Sequence, residues 1–225
     1  MRLHVEQQGD GPAIVLTHGL GDSADTWRLV ADRLVDRFTV VRWDLRGHGR
    51  SEAPTDPAAY SRDSAVADLD TVVGDLDHPV LVGHSLGGYL SLARAVQRGD
   101  DVRGLVLLAS GPGFRNPVAR QQWNNGIHAD AHRYGVPAPA LGLGVQPDDM
   151  VIRSLPALTL PLLVLVGDRD APSYHAGARY LSGAVPGCRV ETLPGGHRFH
   201  VSAADQVAEA IASFVDELPS PLTRM

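Results

Sequence analysis

Short, uninterrupted apolar runs recur along this chain, and each is followed by a longer segment. Ile14-Val15-Leu16 and Leu105-Val106-Leu107-Leu108 are typical of these runs. A strand that is apolar at every position is covered on both faces, as in a mostly parallel sheet flanked by helices. The strand candidates are Leu3–Gln7, Ala13–Thr17, Phe38–Trp43, Val80–Gly83, Leu105–Ala109, Leu162–Gly167 and Arg189–Leu193. Their spacing predicts an α/β fold with a doubly wound, mostly parallel sheet of about seven to eight strands.

The segments between these runs have the spacing of amphipathic helices. Ser23 to Val35 and Ser61 to Leu76 each present an apolar stripe at helical intervals. In the last segment an apolar stripe runs from Val207 to Leu218, and Ser202 is a candidate N-cap for it. We therefore expect right-handed strand–helix–strand crossovers, which place helices on both faces of the sheet.

The segment from Gly111 to Pro156 departs from this alternation, because Gly, Pro and Asn are frequent and helical spacing is weak. Connections of such length inside a compact domain tend to be lids or binding segments. We divide the single domain into a core of residues 1–112 and 157–225 and a short cap of residues 113–156. The cap is expected over the carboxyl edge of the sheet, where open α/β folds bind ligands. A mobile surface loop is the alternative.

Composition excludes several classes of function. The 225 residues carry 26 acidic side chains against 20 basic ones, a net charge of −6, which argues against nucleic acid or an anionic membrane as the main partner. Every basic residue is Arg, so Schiff-base chemistry, a pyridoxal phosphate anchor and a P-loop lysine are excluded. Cys188 is the single cysteine, which excludes an intrachain disulfide and a cysteine-based zinc site.

No targeting or membrane segment is expected. Residues 1–12 lack the apolar region of a secretory signal, and no apolar run reaches the ~18–20 residues of a membrane span. We expect a cytoplasmic chain that acts on a small-molecule substrate, without nucleic acid or a membrane as partner. The sequence indicates no oligomeric state.

The sharpest motif is Gly83-His84-Ser85-Leu86-Gly87, which joins the strand candidate at Val80 to a helical segment. A turn tight enough to lift a serine hydroxyl above the sheet leaves no room for side chains two residues before and after it. The serine also lies at a helix N-terminus, which favours developing negative charge. We predict Ser85 as a nucleophile and the Leu86 backbone N–H as an oxyanion donor. The alternative is a helix start that happens to contain Gly and Ser.

A second oxyanion donor is expected upstream, in His18-Gly19-Leu20-Gly21, because a glycine-rich turn after an apolar strand exposes backbone N–H groups. We assign this donor to Leu20. His18 has a rival interpretation as a catalytic base, but a histidine placed directly before glycine at a strand end more often orders the turn.

The acid and base of a triad are expected downstream. Asp168 and Asp170 follow a buried strand, and a loop in that place can hold one carboxylate close to a histidine; we favour Asp170 over Asp168. His197 follows two glycines and is the predicted general base, with His200 as the runner-up. The chain order Ser, Asp, His is the one expected when the nucleophile lies on a strand–helix turn.

The cap supplies the candidate substrate contacts Trp123, Tyr134 and Leu141, which indicate an apolar pocket for a small or medium acyl group. His128 and His132 lie four residues apart and could share a helix face, but the sequence offers no third ligand. We therefore predict neither a metal nor a cofactor.

Together these motifs resemble the α/β-hydrolase family. The matching segments are His18–Gly21, Asp44–Ser51, Gly83–Gly87, Gly167–Asp170 and Gly196-His197. The resemblance covers the chain apart from the cap. It implies that Asp44–Ser51 is a structural turn beside the site and that the later aspartate, Asp170, is the acid. The chain departs from the family in a short N-terminus, which predicts seven strands or a clipped first one, and in a cap of about half the usual length.

The resemblance also narrows the chemistry. Relatives that open epoxides or remove halides use Asp where this chain has Ser85, so neither activity is expected. Hydrolysis of a carboxylic ester, a lactone or a thioester is the leading hypothesis. A carbon–carbon bond hydrolase or an enol-lactonase is the nearest alternative, and cofactor-free oxygenases and hydroxynitrile lyases keep a similar triad. A small-molecule receptor without catalysis is the alternative from another class.

Overall fold

The structure, a computed structural model, describes residues 1–129 and 131–219. In that part of the chain the strands are β1 (Val5–Gln8), β2 (Ala13–Thr17), β3 (Thr39–Trp43), β4 (Val80–His84), β5 (Gly104–Leu108), β6 (Leu162–Gly167) and β7 (Arg189–Leu193). They form one seven-stranded sheet in the order β1-β3-β2-β4-β5-β6-β7. β1 pairs antiparallel with β3, and every other neighbouring pair is parallel. The predicted mostly parallel sheet with a short first strand is confirmed.

The apolar runs cover both faces of this sheet. Val15 on β2 pairs in register with Val41 on β3 and Leu81 on β4. All three side chains belong to the hydrophobic cluster on one face, whereas Ile14 and Leu16 belong to the cluster on the other face. Successive strand residues point to opposite faces, so a strand between two helical layers must be apolar throughout.

Helices fill both layers. They are α1 (Arg28–Leu34), α2 (Arg62–Val73), α3 (Leu86–Gln97), α4 (Pro117–Ala129), α5 (Met150–Ser154), α6 (Pro172–Ala184), α7 (Phe199–Ser202) and α8 (Ala204–Glu217). Side chains of α1 and α8 pack in one hydrophobic cluster, and those of α2, α3 and α6 pack in the other. α2 begins as the sequence predicts, because the Ser61 side chain accepts a hydrogen bond from the Ser64 N–H at 3.1 Å.

The start of the last helix differs from the prediction. Ser202 ends the short helix α7, and α8 begins at Ala204 after Ala203, which provides no side-chain cap. Phe199 and His200 are both fully buried, and the extra helical turn is what places them there. The cap prediction was wrong because burial of these two side chains shifted the helix boundary.

The segment between β5 and β6 contains α4, α5 and three short 3-10 helices, at Ala131–Arg133, Ala138–Gly144 and Leu155–Ala157. An ion pair ties this segment to the core, since the Arg62 guanidinium on α2 contacts the Asp148 carboxylate at 2.6 Å. Among the described residues, no helix combines the length and the apolar character needed to cross a bilayer.

The sheet topology explains where a site can form. From β2 the chain continues to β3 on one side, and β4 then lies on the other side of β2. The loops that leave the carboxyl ends of β2 and β4 therefore diverge and leave a crevice between them. The predicted oxyanion loop follows β2 and the predicted nucleophile follows β4, so both are brought to this crevice.

Candidate active site

Ser85 occupies a strained turn between β4 and α3. Its backbone angles, φ +50° and ψ −114°, lie in a region that residues other than glycine rarely adopt. A Cβ on Gly83 would overlap the backbone of Gly87, and a Cβ on Gly87 would overlap the carbonyl of Thr17. The turn is held from β5, because the Ser85 N–H donates to the Leu108 carbonyl at 2.8 Å. The two glycines are therefore needed for the serine to take this position.

His197 reaches the serine from far along the chain. Its Nε2 lies 3.2 Å from Ser85 Oγ, within hydrogen-bonding distance. The His84 ring donates from Nε2 to the His197 carbonyl at 2.8 Å and so holds the loop from below. His200 lies elsewhere, between the rings of Trp27 and His84, with ring centroids 4.8 and 4.1 Å away. The structure thus brings His197 to Ser85, while His200 packs beneath the loop.

The two aspartates of the acidic loop have different partners. Asp170 Oδ1 lies 3.4 Å from His197 Nδ1, and its side chain is 1% exposed. Asp168 instead accepts a hydrogen bond from the Gly195 N–H at 2.7 Å, which ties the acidic loop to the histidine loop. Neither Asp170 Oδ2 nor His197 Nδ1 has a hydrogen-bond partner within the described ranges. Catalytic hydrogen bonds that are long in the free enzyme commonly shorten when substrate binds.

The predicted oxyanion donors belong to two segments that adjoin the serine. Leu86 is the first residue of α3, and an N–H in the first helical turn has no intrahelical acceptor. The loop with Leu20 packs against the serine turn, since a Cβ built on Gly19 would lie 3.3 Å from Ser85 Cβ. Leu20 and Leu86 both line the cavity that contains Ser85.

His18 is fixed in the turn after β2. Its Nδ1 donates to the Gly19 carbonyl at 2.7 Å, and its Nε2 accepts from the Leu45 N–H at 3.0 Å. Burial lowers the pKa of His18 to about 3, so the ring stays neutral. Both ring nitrogens are occupied by backbone groups, which is the arrangement of a residue that orders a turn.

A cavity of about 680 Å³ opens above Ser85 and His197. Trp123 and Tyr134, two of the predicted substrate contacts, line it, together with Tyr89, Ile127, Ile152 and Gln146. Leu141, the third, is 3% exposed within the 3-10 segment and does not line the cavity. Trp123 is fixed by a hydrogen bond from its Nε1 to the Gly144 carbonyl at 2.9 Å.

Beneath the catalytic loop, Asp22, His84 and His200 form the one group in the described part of the chain with the closeness of a metal site. Their ligand atoms lie within 4.8 Å of one another. The Asp22 carboxylate is already paired with the Arg198 guanidinium at 2.9 Å. Burial raises the pKa of the Asp22 carboxyl, and Arg198 opposes that shift. An ion pair therefore already satisfies this carboxylate, which weakens the group as a binder of cations.

Sequence reasoning missed three residues around the triad: His84, Asp22 and Tyr174. His84 lies inside the serine motif, at a position where the motif does not require a particular residue type. Asp22 follows the oxyanion loop and Tyr174 follows the acidic loop, and neither belongs to a motif with a known spacing. Proximity to a predicted loop was the one available signal, and it does not say which side chain points to the serine.

Comparison with known proteins shows which family and fold this chain shares. A family model described as alpha/beta hydrolase fold matches residues 12–151, more than half of the chain. A pimeloyl-[acyl-carrier protein] methyl ester esterase of Xanthomonas campestris is 28% identical over 96% of this chain and 100% of that protein. The crystal structure of an enol-lactonase from Burkholderia xenovorans superposes with a TM-score of 0.79, at 25% identity over 96% of each chain.

One relative is much longer than this chain. An uncharacterized protein of Mycobacterium tuberculosis is 42% identical, but the aligned region covers 46% of this chain and 30% of that protein. The likeness to this relative therefore concerns part of each chain.

Proposed function

The chain belongs to the α/β-hydrolase fold family, and on that basis we propose that it is a serine hydrolase that cleaves a carboxylic ester, a lactone or a thioester through an acyl-enzyme on Ser85. The observation that carries the proposal is the 3.2 Å distance between His197 Nε2 and Ser85 Oγ, on a turn that forces the serine into a strained conformation. The esterase and the enol-lactonase among the similar proteins support the same class of reaction.

The mechanism follows from the positions of the side chains. His197 Nε2 accepts the Ser85 proton while Oγ attacks the acyl carbon. Asp170 orients the imidazole and stabilises its cation from the Nδ1 side. The N–H groups of Leu20 and Leu86 stabilise the oxyanion, each donor of this kind being worth ~2.7–4 kcal/mol. The leaving group takes the proton from His197, and a water then releases the acid by the reverse steps.

The substrate that we propose is small to medium and largely apolar. Trp123, Tyr134, Ile127 and Ile152 are among the large apolar and aromatic residues that line the cavity with Ser85. We keep residues 113–156 as a cap in this proposal, because Trp123, Ile127 and Tyr134 all come from that segment. Fast turnover of acyl chains beyond about ten carbons would contradict a pocket of this size.

Replacement of the nucleophile tests the proposal directly. Ser85→Ala is expected to abolish hydrolysis of a short p-nitrophenyl ester and labelling by a fluorophosphonate probe, because the variant lacks the hydroxyl that forms the acyl-enzyme. Ser173→Ala is the matched control, since Ser173 lines the same cavity but is exposed at the start of α6. Undiminished turnover in Ser85→Ala would refute the assignment.

A second candidate function is the opening of an enol-lactone or the cleavage of a carbon–carbon bond in a diketone-like substrate. The similarity to the enol-lactonase, over 96% of both chains, favours it. Such an enzyme would show weak activity on simple esters and strong activity on an enol-lactone or a vinylogous diketone. A panel of acyl esters, lactones and diketones, assayed with the wild type and with Ser85→Ala, separates these reactions. A chain that only binds small molecules would resist the fluorophosphonate.

A further inference from the structure

The residue that follows the predicted base joins its loop to the oxyanion loop. Arg198 Nη2 lies 2.9 Å from Asp22 Oδ1. Asp22 belongs to the same turn as Leu20, because its N–H donates to the Gly19 carbonyl at 3.2 Å. Asp22, His197 and Arg198 all line the cavity that contains the nucleophile. The ion pair therefore connects the segment that is expected to supply an oxyanion donor with the segment that is expected to supply the base.

The nucleophile turn contacts the same two loops. His84, which directly precedes Ser85, donates from Nε2 to the His197 carbonyl at 2.8 Å, and its Nδ1 lies 3.8 Å from Asp22 Oδ2. Burial lowers the pKa of the His84 ring well below its usual value, so the ring is neutral and does not balance the charge of the carboxylate. Arg198 therefore supplies the positive charge that His84 does not.

The base needs this support because its contact with the acid is long. Asp170 Oδ1 lies 3.4 Å from His197 Nδ1, beyond the ~2.7–3.2 Å of an ordinary N–H···O hydrogen bond. The stem of the histidine loop is fixed at Gly195, whose carbonyl accepts from the Arg169 N–H at 2.9 Å. Farther along this loop, the His197 carbonyl and the Arg198 side chain are held by other loops. The position of the imidazole therefore depends on contacts made outside the triad.

We propose that Asp22 and Arg198 are positioning residues, whose ion pair holds the loop of His197 against the oxyanion loop and so keeps Nε2 within reach of Ser85 Oγ. The inference rests on the proposed function, because it takes His197 as the base that deprotonates Ser85. Neither member of the pair makes or breaks a bond in this role. The pair fixes the geometry in which the proton passes from Oγ to Nε2, and a displacement of about 1 Å in such a geometry can lower a rate about a hundredfold.

Replacement of the arginine tests the proposal. In Arg198→Gln we expect kcat on a neutral p-nitrophenyl ester and the rate constant of fluorophosphonate labelling to fall about ten- to a hundredfold, with little change in KM. Arg169→Gln is the matched control and should keep the wild-type rates. Arg169 is exposed and adjoins Asp170 as Arg198 adjoins His197, but its side chain makes no ion pair with a described residue.

Two further variants show whether the charge pair causes the loss. Arg198→Lys keeps a positive charge for the single N–O contact and should recover most of the lost rate. The double variant Asp22→Asn/Arg198→Gln should lose no more than the larger of the two single losses, because either substitution already breaks the pair. A loss in Arg198→Lys as large as that in Arg198→Gln, or losses that multiply in the double variant, would overturn the proposal.

The charge of the substrate distinguishes positioning from binding. If the pair positions the base, Arg198→Gln should lower kcat to a similar extent on a neutral ester and on an ester that carries a carboxylate. A loss confined to the carboxylate ester and seen as a raised KM would place the guanidinium on the substrate and overturn the proposal.

The fold should survive the loss of the pair. The Arg198 side chain is 58% exposed, and an ion pair with so exposed a member contributes little to the free energy of unfolding. The thermal unfolding temperature of Arg198→Gln is therefore expected near that of the wild type. A rate loss that came with a large fall in this temperature would assign the effect to the fold and not to the position of the base.

The labelling experiment also separates this inference from the proposed function. If the wild type itself resists the fluorophosphonate, the serine hydrolase proposal fails. If the wild type reacts and Arg198→Gln reacts at the same rate, only the role of the ion pair fails.

Discussion

Asp168 and Asp170 are separated by one residue, but their carboxylates have different partners. Asp170 faces the imidazole of His197 at 3.4 Å, whereas Asp168 accepts the Gly195 N–H at 2.7 Å. The two side chains therefore leave the loop after β6 in different directions, and the same chemical group meets an imidazole at one position and a backbone donor at the other. Residue type alone therefore does not assign a catalytic role.

The two aspartates can be told apart by amide substitution. Asp170→Asn is expected to lower kcat by about a thousand- to ten thousandfold, because an amide no longer stabilises the imidazolium and disturbs the tautomer of the base. Asp168→Asn keeps an oxygen for the Gly195 N–H and should retain activity within about tenfold, a mild loss of the kind caused by a structural hydrogen bond. The kcat of both variants on one ester tests this assignment. A larger loss of kcat in Asp168→Asn than in Asp170→Asn would reverse the roles of the two aspartates.

At the scale of elements, helix α4 is attached to the segment that follows it by the side chains of Trp123, which donates to Gly144, and Asn124, which bonds to Gln146. Asn124 donates from Nδ2 to the Gln146 carbonyl at 3.0 Å and accepts the Gln146 N–H on Oδ1 at 2.9 Å. Trp123 and Ile127 on α4, and Gln146 itself, line the cavity above Ser85. The shape of the pocket therefore depends on a contact between α4 and the loop at Gln146, neither of which carries a triad residue.

Removal of this contact should change substrate binding more than chemistry. Asn124→Ala loses both hydrogen bonds and leaves two backbone groups of Gln146 without partners, a cost of about 1–3 kcal/mol for each buried group. We expect KM to rise several-fold, with a smaller change in kcat for a short ester. Asn125→Ala is the control, because the Asn125 side chain is exposed and accepts a hydrogen bond from Gln121 in the same helix. Equal kinetic effects in both variants would contradict the role given to Asn124.

For the molecule as a whole, the buried histidines make the free energy of unfolding depend on pH. His18 and His200 are fully buried, and burial lowers the pKa of each to about 3. Burial also lowers the pKa of His84 well below its usual value. In the unfolded chain these rings take up a proton near pH 6.5. Below that pH the unfolded state binds protons that the folded state does not, so stability is lost as the pH falls from about 6.5 towards 3.

Urea unfolding at pH 7, 6 and 5 measures this effect. For each pH unit by which the solution is made more acidic within that window, each such histidine should lower the free energy of unfolding by about 1.4 kcal/mol. His200→Gln should therefore show a shallower dependence on pH than the wild type, whatever its stability at pH 7. His128→Gln, which replaces an exposed histidine on α4, should keep the wild-type slope. An unchanged slope in His200→Gln would show that His200 is not kept neutral by burial.

The sequence by itself determined the features that depend on residues close to each other along the chain. Uninterrupted apolar runs must lie between two layers, and Gly83 and Gly87 are required by the backbone of the turn at Ser85. The mostly parallel sheet, the alternation of strands and helices along the chain and the tight turn at Ser85 could therefore be predicted from the chain alone. The start of α8 could not, because it depends on the burial of Phe199 and His200 against distant elements.

Only the tertiary structure decided which side chains meet. His197 rather than His200 reaches Ser85 across 112 residues of sequence, and Asp170 rather than Asp168 faces that histidine. Leu141 does not line the cavity, while Tyr174, which no motif marks, lines it and packs its ring on the His197 ring. The physical reason is that the direction of a loop side chain is set by the packing of the whole molecule around it. Local sequence limits which backbone shapes are available, and long-range packing selects among them.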